Sequence, residues 1–509
     1  MEISFFIVTV LLIFLPLLLA LVKKHKRVKN LPPGPWKLPL MGNLHQLGIS
    51  HPHVALKELS EKYGPLMHLK LGERSTIVIS SYKMLKELVK TSDTAFSNRP
   101  ELLVSKTVAY DGRDIAFAPY GDYWKEMRKI CTSELLSTKR VHSTYPLMEE
   151  EISRFVKTIK ESYSSSSSVE GTPINIYECL NSLTCAIICR ASVGTACNDP
   201  NSLISAIKKV TPLAGIFNIS DLFPSLKFLD PFVTGSNQRL LKIHHESCDR
   251  VLEQVVREHE ESIRKNNSEP VDQEDLLHLL LRIREKESHN FQIPITRENI
   301  KAIVLDMFIG GTDSTSIIME WALSELIKNP TVMKKAQSEV REILKGKKIV
   351  DHSDMQNLKY LKLVVKETLR LHPPGFLSLP RESTQQCEVN GYVIPNKTIA
   401  LVNMYAMGRD PEYWRDPEKF MPDRFNDVEI KGSTNVPMEF LAFGFGKRSC
   451  PGMSFGIASI ELTLARLLYH FDWTLPNGMH PEDLDMSENS GAAATRKKRL
   501  YLIASPYHY

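Results

Sequence analysis

Apolar and polar residues divide this chain into an anchor-like start, a short stretch of strands and a long helical body. From Ile3 to Val22 no residue is ionisable, a run of about 20 residues that suits one bilayer-spanning helix. Lys23, Lys24, His25, Lys26, Arg27 and Lys29 follow it. A cleaved secretory signal carries its positive charge before the apolar run, so the order here predicts an uncleaved anchor with the body on the cytosolic side. Leu31-Pro32-Pro33-Gly34-Pro35 cannot continue a helix and predicts a stiff extended hinge. Past His53 an amphipathic helix is expected, then strands over 66–71 and 76–80 around a Gly72-Glu73 turn. Helical spacing dominates from there. The longest such pattern runs from Glu298 to Lys328, with Ile300, Ile303, Val304, Met307 and Phe308 on one stripe. The Asn390-Gly391 pair inside 387–393 signals a tight hairpin. Ser164 to Ser168 is low-complexity and Lys265 to Glu274 is polar, as surface loops are.

One stretch concentrates chemistry. Phe443-Gly444-Phe445-Gly446-Lys447-Arg448-Ser449-Cys450-Pro451-Gly452 precedes an apolar segment with Ile457, Ile460, Leu462, Leu464, Leu467 and Leu468 at helical spacing. Pro451 suits a first helical position, which places Cys450 at the N-cap. There the free N–H groups, Lys447 and Arg448 would favour thiolate over thiol. The glycines would let the backbone approach a large flat ligand. Gly452-Met453-Ser454-Phe455-Gly456 also fits a nucleophile elbow, with 438–443 as its strand. That reading leaves too little chain for the remaining acid, histidine and strands.

Composition narrows the picture slightly. The 509 residues carry a net charge of +5, which makes no case for a nucleic-acid partner, and the length permits a large core. Eight cysteines without paired metal-finger spacing agree with a reducing compartment.

Three further segments carry candidate chemistry. Trp124 and Arg128 lie four apart and share a helix face, with Lys125 and Lys129 on another. A solvated charged face is the plain alternative. Gly310-Gly311-Thr312-Asp313-Ser314-Thr315 interrupts the longest helical pattern. Two adjacent glycines cost a helix about 1 kcal/mol each relative to alanine, so something must use the space they leave. Glu367 and Arg370 lie three apart, ahead of Phe420-Met421-Pro422-Asp423-Arg424-Phe425.

Phe443, Gly446, Arg448, Cys450 and Gly452 match all five fixed positions of the haem-binding loop of the cytochrome P-450 family, and the chain resembles a plant microsomal member. The resemblance implies a mainly α fold with a small β region, preceded by one N-terminal transmembrane helix. Residues 3–22 would be the anchor, 23–35 a basic and proline-rich hinge, and 36–509 the haem-thiolate domain. Cys450 would be the axial ligand of haem b, while Trp124, Arg128 and Arg381 match propionate-binding positions. Glu367, Arg370 and Arg424 would form a structural network. Asp313 and Ser314 fall where the family guides protons in oxygen activation, Ser314 standing at the usual threonine. Electrons would come from NADPH through a separate reductase in the endoplasmic reticulum membrane, with no nucleic-acid partner. The activity implied is monooxygenation of a lipophilic plant metabolite, a terpenoid or terpenoid-derived indole alkaloid, by hydroxylation, desaturation or oxidative ring closure. A reductase-independent isomerase or dehydratase, and a non-catalytic haem- or lipid-binding membrane protein, are the alternatives.

Overall fold

The computed structural model describes residues 30–48, 51–164, 171–194, 199–210, 218–229, 242, 244–265, 275–286, 294–426, 438–489, 491 and 493–508. The expected anchor at 3–22, the basic residues 23–29, the serine run from 165 and the polar loop 266–274 lie outside them. Among the described residues one helical run, Arg297–Lys328, is long and apolar enough to cross a bilayer, and its burial marks it as a core helix.

Strands β1 (Leu66–Leu71) and β2 (Arg74–Ile79) pair antiparallel, with Leu71 opposite Arg74 across Gly72-Glu73. The hairpin starts earlier than the alternation suggests because a two-residue turn with Gly72 at φ 61° brings Arg74 straight into register. β3 (Ile174–Asn175) pairs with the last strand, β9 (Tyr501–Pro506), which also pairs with β8 (Phe471–Thr474). β4 (Arg381–Glu382) and β7 (Ile399–Val402) complete the first sheet in the order β1-β2-β7-β4. The hairpin of β5 (Cys387–Val389) and β6 (Tyr392–Ile394) turns at Asn390 and Gly391, both at positive φ, as expected of that dipeptide. The hinge packs on the sheet: Pro33 O accepts from His68 N at 2.8 Å, and a Cβ on Gly34 would collide with the His68 carbonyl.

Helices supply most of the core. The elements that position the site are α1 (Tyr82–Ser92), α2 (Asp122–Ile130), α3 (Ile176–Val193), α4 (Arg297–Gly311), α5 (Asp313–Lys328), α6 (Lys359–Leu371) and α7 (Met453–His470). One apolar cluster joins Leu183, Leu323, Val364 and Leu464 from four of them. A second gathers Met127, Ile188, Ile303 and Phe308 around the first half of the central helix. A third joins the first sheet to α1 and includes Phe445.

The expected helix over 298–328 is one helical run with a bend at Thr312 (φ −89°, ψ −69°), which divides it into α4 and α5. The ladder persists across it, Thr312 N donating to Phe308 O and Ser316 N to Thr312 O, both at 3.1 Å. Thr312 Oγ1 also donates to Phe308 O at 2.7 Å and Ser316 Oγ to Thr312 O at 2.8 Å, side-chain bonds that bend helices.

Candidate functional site

Phe445 pins the cysteine loop by burying its ring with Ile77, Leu85 and Val402, a burial that contributes roughly 1.5–3 kcal/mol. Around it the backbone turns through Gly444 and Gly446 at φ 78° and 57°, values that favour glycine. At Gly446 the space is also taken, since a Cβ would collide with the Asp93 carboxylate. That carboxylate, just past the end of α1, accepts from Lys447 N at 3.0 Å and from the Arg381 guanidinium at 3.1 Å. Cys450 N donates to Phe443 O at 2.7 Å and closes the loop.

Two expectations about Cys450 are corrected. The following helix starts at Met453 with Gly452 as its N-cap, so Cys450 is two residues short of that position, with its Sγ against Gly452. Burial also pushes its thiol up from the ordinary range, against the Gly452 N–H and Arg128, which pull it down. Arg448 does not help, because its guanidinium is committed to the carbonyls of Ser97, Ile115 and Ala118. Cys450 has exposed surface although protein surrounds it, the signature of a side chain facing an internal hollow. The elbow reading fails as well: Met438–Phe443 is a 3-10 turn and Ser454 lies inside α7.

On one side of the loop, buried guanidiniums collect. Trp124 and Arg128 share a face of α2 as expected, the guanidinium 5.4 Å from the ring centre. Arg128 Nη2 donates to Ser449 O at 2.6 Å. Arg448 also lies against the Trp124 ring, at 4.0 Å, and its three carbonyl bonds measure 2.8, 3.3 and 2.5 Å. Arg381, set by β4, lies 3.8 Å from the Phe445 ring and donates to the Phe445 carbonyl. A fourth member, Arg99, was not singled out from the sequence. It donates to Ala116 O, Leu379 O and Pro380 O at 2.9, 3.0 and 2.8 Å. Its only local signal is a position just before Pro100, which spacing alone does not interpret.

These four cations face few acids. Burial and mutual repulsion lower Arg381 to about 10 and Arg448 to about 9, and hold Arg99 well below the usual range. A guanidinium stays charged in a folded protein, so the direction measures missing negative charge rather than lost protons. A site with that imbalance, beside an accessible cysteine and the uncrowded turn at Gly444, fits a flat ligand carrying two carboxylates. The residues present thus fit haem b.

On the central helix an added Cβ at Gly310 would meet open space. Gly311 has a different reason, since its Cβ would lie 2.6 Å from Ile188 Cδ1 of α3. Asp313 Oδ1 accepts from Asn181 Nδ2 at 2.8 Å and Tyr177 Oη at 3.2 Å, so its carboxylate is held toward α3. Ser314 Oγ donates to Gly310 O at 2.6 Å. Thr315 is buried, consistent with its place about 100° further round the helix.

Away from the cysteine, the Glu367 carboxylate accepts from Arg370 Nε and Nη2 at 2.7 and 2.8 Å and from Arg424 Nε at 2.9 Å. All three are buried or nearly so, as the resemblance implied. His259, Asp275 and His278 also converge. Both ring nitrogens of His259 face carbonyls, Val255 O and Val193 O at 2.9 Å, so it forms an imidazolium beside Asp275 rather than a metal ligand.

The cytochrome P-450 family pattern matches residues 32–503. The chain is 46% identical over 509 residues to the premnaspirodiene oxygenase of Hyoscyamus muticus, covering 99% of each chain. It is 47% identical over 498 residues to the desmethyl-deoxy-podophyllotoxin synthase of Sinopodophyllum hexandrum, covering 97% of this chain and 95% of that one. Against the costunolide synthase of Cichorium intybus the identity is 45% over 478 residues, covering 94% and 93%. With the family's pattern spanning nearly the whole fold, the chain belongs to the cytochrome P-450 family of haem-thiolate monooxygenases, which take NADPH electrons from a reductase and oxidise lipophilic substrates.

Proposed function

We propose that this enzyme oxidises a plant terpenoid or terpenoid-derived alkaloid, and that Cys450 would ligate haem b while Trp124, Arg128, Arg381 and Arg448 would hold its propionates. The observation that carries the reading is the under-neutralised arginine cluster beside Cys450. Phe443 and Gly446 shape the loop. When bound, haem supplies the oxygen-activating redox chemistry, tuned by its thiolate ligand.

The chain's own residues then have separable tasks. The arginines offer planar, charge-assisted donors to two carboxylates. Gly310 leaves room on the groove side. Asp313 holds a proton-accepting oxygen against Asn181 and Tyr177 and must turn from them to serve the groove. Ser314 is bound to Gly310 O and must rotate to donate elsewhere. Serine rotates with less restraint than the threonine usual at this position, because it lacks the second heavy atom on Cβ. That freedom favours desaturation or ring closure as outcomes beside hydroxylation.

Apolar and small residues in 105–120, near Ile309 and in 375–379 are the proposed substrate contacts. The other expected segments, 212–232 and 490–494, lie partly outside the described residues. The names premnaspirodiene oxygenase and costunolide synthase among the relatives point the same way. Residues 3–22 are proposed as the endoplasmic reticulum anchor, with the catalytic body cytosolic. Lys125, Lys129 and Lys447 are exposed and are proposed to meet an acidic reductase surface, although Lys125 shares its charge with Asp122 at 2.9 Å. Charge reversal of Lys125 and Lys129 together should slow haem reduction by reductase, and unchanged reduction would remove that role.

The deciding experiment is a product screen of microsomes bearing this chain against a plant metabolite library, after a carbon-monoxide difference spectrum for thiolate ligation. Turnover that needs NADPH and reductase supports the proposal. Turnover with neither would make the chain an isomerase or dehydratase, and no turnover would leave a binding protein.

A further inference from the structure

Asp306 and Asp114 stand apart from the chemistry assigned above. Asp306 lies on α4, one helical turn before Gly310, so the two share a face. Its Oδ2 accepts from Ile115 N at 2.7 Å and Ala116 N at 3.3 Å. Asp114, 1% exposed, turns its carboxyl back on its own loop and accepts from Phe117 N at 3.0 and 3.1 Å.

The loop they hold has a second face. Ile115 O accepts from Trp124 Nε1 at 3.0 Å and from Arg448 at 3.3 Å. Ala116 O accepts from Arg99, and Ala118 O from Arg448. Amides of 115–116 thus point at the central helix, and carbonyls of 115, 116 and 118 point at the indole and two of the four arginines.

We propose that Asp306 is a positioning residue which, by accepting from the amides of Ile115 and Ala116, holds loop 114–118 on the central helix and so aims its carbonyls at Trp124, Arg99 and Arg448. The surroundings agree. Burial raises Asp114 to about 7 and Asp306 well above its ordinary range. The charged or titratable groups facing the pair are Arg99 and Arg448 beside Asp114, and Tyr123 and the Cys131 thiol beside both acids or Asp306. The loop therefore couples the substrate side of the central helix to the arginine side of the cysteine loop.

The inference leans on the haem reading only for what the arginines hold, and its test separates the two. Amide hydrogen exchange is measured over 114–118 in the full, haem-loaded chain for wild type, Asp306→Asn, Asp306→Ala and Asp114→Asn. A carboxamide is neutral and keeps an acceptor, so Asp306→Asn should exchange within about twofold of wild type, and Asp114→Asn likewise, whereas Asp306→Ala should exchange about tenfold faster or more. Exchange in Asp306→Ala as slow as wild type would overturn the proposal. So would exchange over 114–118 in Asp306→Asn about tenfold faster than wild type, since an acceptor at that place would then not hold the loop, and this readout survives if Asp306→Ala does not fold. A carbon-monoxide spectrum of the same wild-type sample lacking thiolate ligation would defeat the haem reading and leave the loop result standing.

Discussion

Two assemblies of buried arginine invite comparison. At Glu367 one carboxylate receives both Arg370 and Arg424, and leftover donors go to carbonyls such as Pro417 O and Lys419 O at 2.7 and 3.1 Å. Beside Cys450, four arginines lean on carbonyls, on Asp93 and on the more distant charge of Asp114. In the first, both arginines contact the one acid; in the second, of the four arginines only Arg381 contacts an acid among the described residues, and the cations repel one another. A protein keeps a self-sufficient network to lock its fold and an incomplete one to receive something negative.

The comparison breaks most completely at the ligand it presupposes. Cys450→Ser should abolish the thiolate-type carbon-monoxide difference band, and a retained band would move the iron ligand elsewhere. Next in size, Glu367→Ala strands two buried cations and should cost about 3–5 kcal/mol, read as a fall in denaturant midpoint with loss of bound haem. A stably folded variant with full haem would show that network to be dispensable. The sharpest test pairs Arg370→Met with Arg381→Met. The first should destabilise by about 3 kcal/mol or more, because Glu367 loses its bidentate partner. The second should cost about 1 kcal/mol in folding while lowering haem content more than its stability loss explains. Equal losses in both readouts would erase the distinction between scaffold and receptor. Smallest of all, Ser314→Thr should reduce peroxide released per product by about twofold to threefold, under about 1 kcal/mol of barrier, and narrow any mixture of products. Unchanged leakage and product ratio would deprive that serine of mechanistic meaning.

Reading from residue order worked where chemistry repeats at fixed local spacing. The five positions from Phe443 to Gly452, the Trp124–Arg128 pair and the Asn390-Gly391 hairpin were visible because their partners lie within a turn or two. Glu367 and Arg370 were visible as a pair from spacing, whereas their burial and the joining of Arg424, 57 residues away, came only through the family resemblance. Cys450 was misplaced at an N-cap because a proline at helical spacing resembles a first helical residue; the chain instead uses 451–452 as a turn before Met453. Arg99 and the Asp114–Asp306 pair gave no signal, since each draws its meaning from groups far along the chain.

Residue order by itself determined the family, the cysteine loop, the glycine-interrupted central helix and the order of the elements, because those follow from local propensity and from motifs that need only near neighbours. Tertiary structure alone decided which arginines lack counter-charge, why Gly311 packs on Ile188 while Gly310 stays open, that Asp313 is held by Asn181 and Tyr177, and that two aspartates share a loop. Charge balance and packing depend on distances between segments remote in sequence, and only the folded chain sets them.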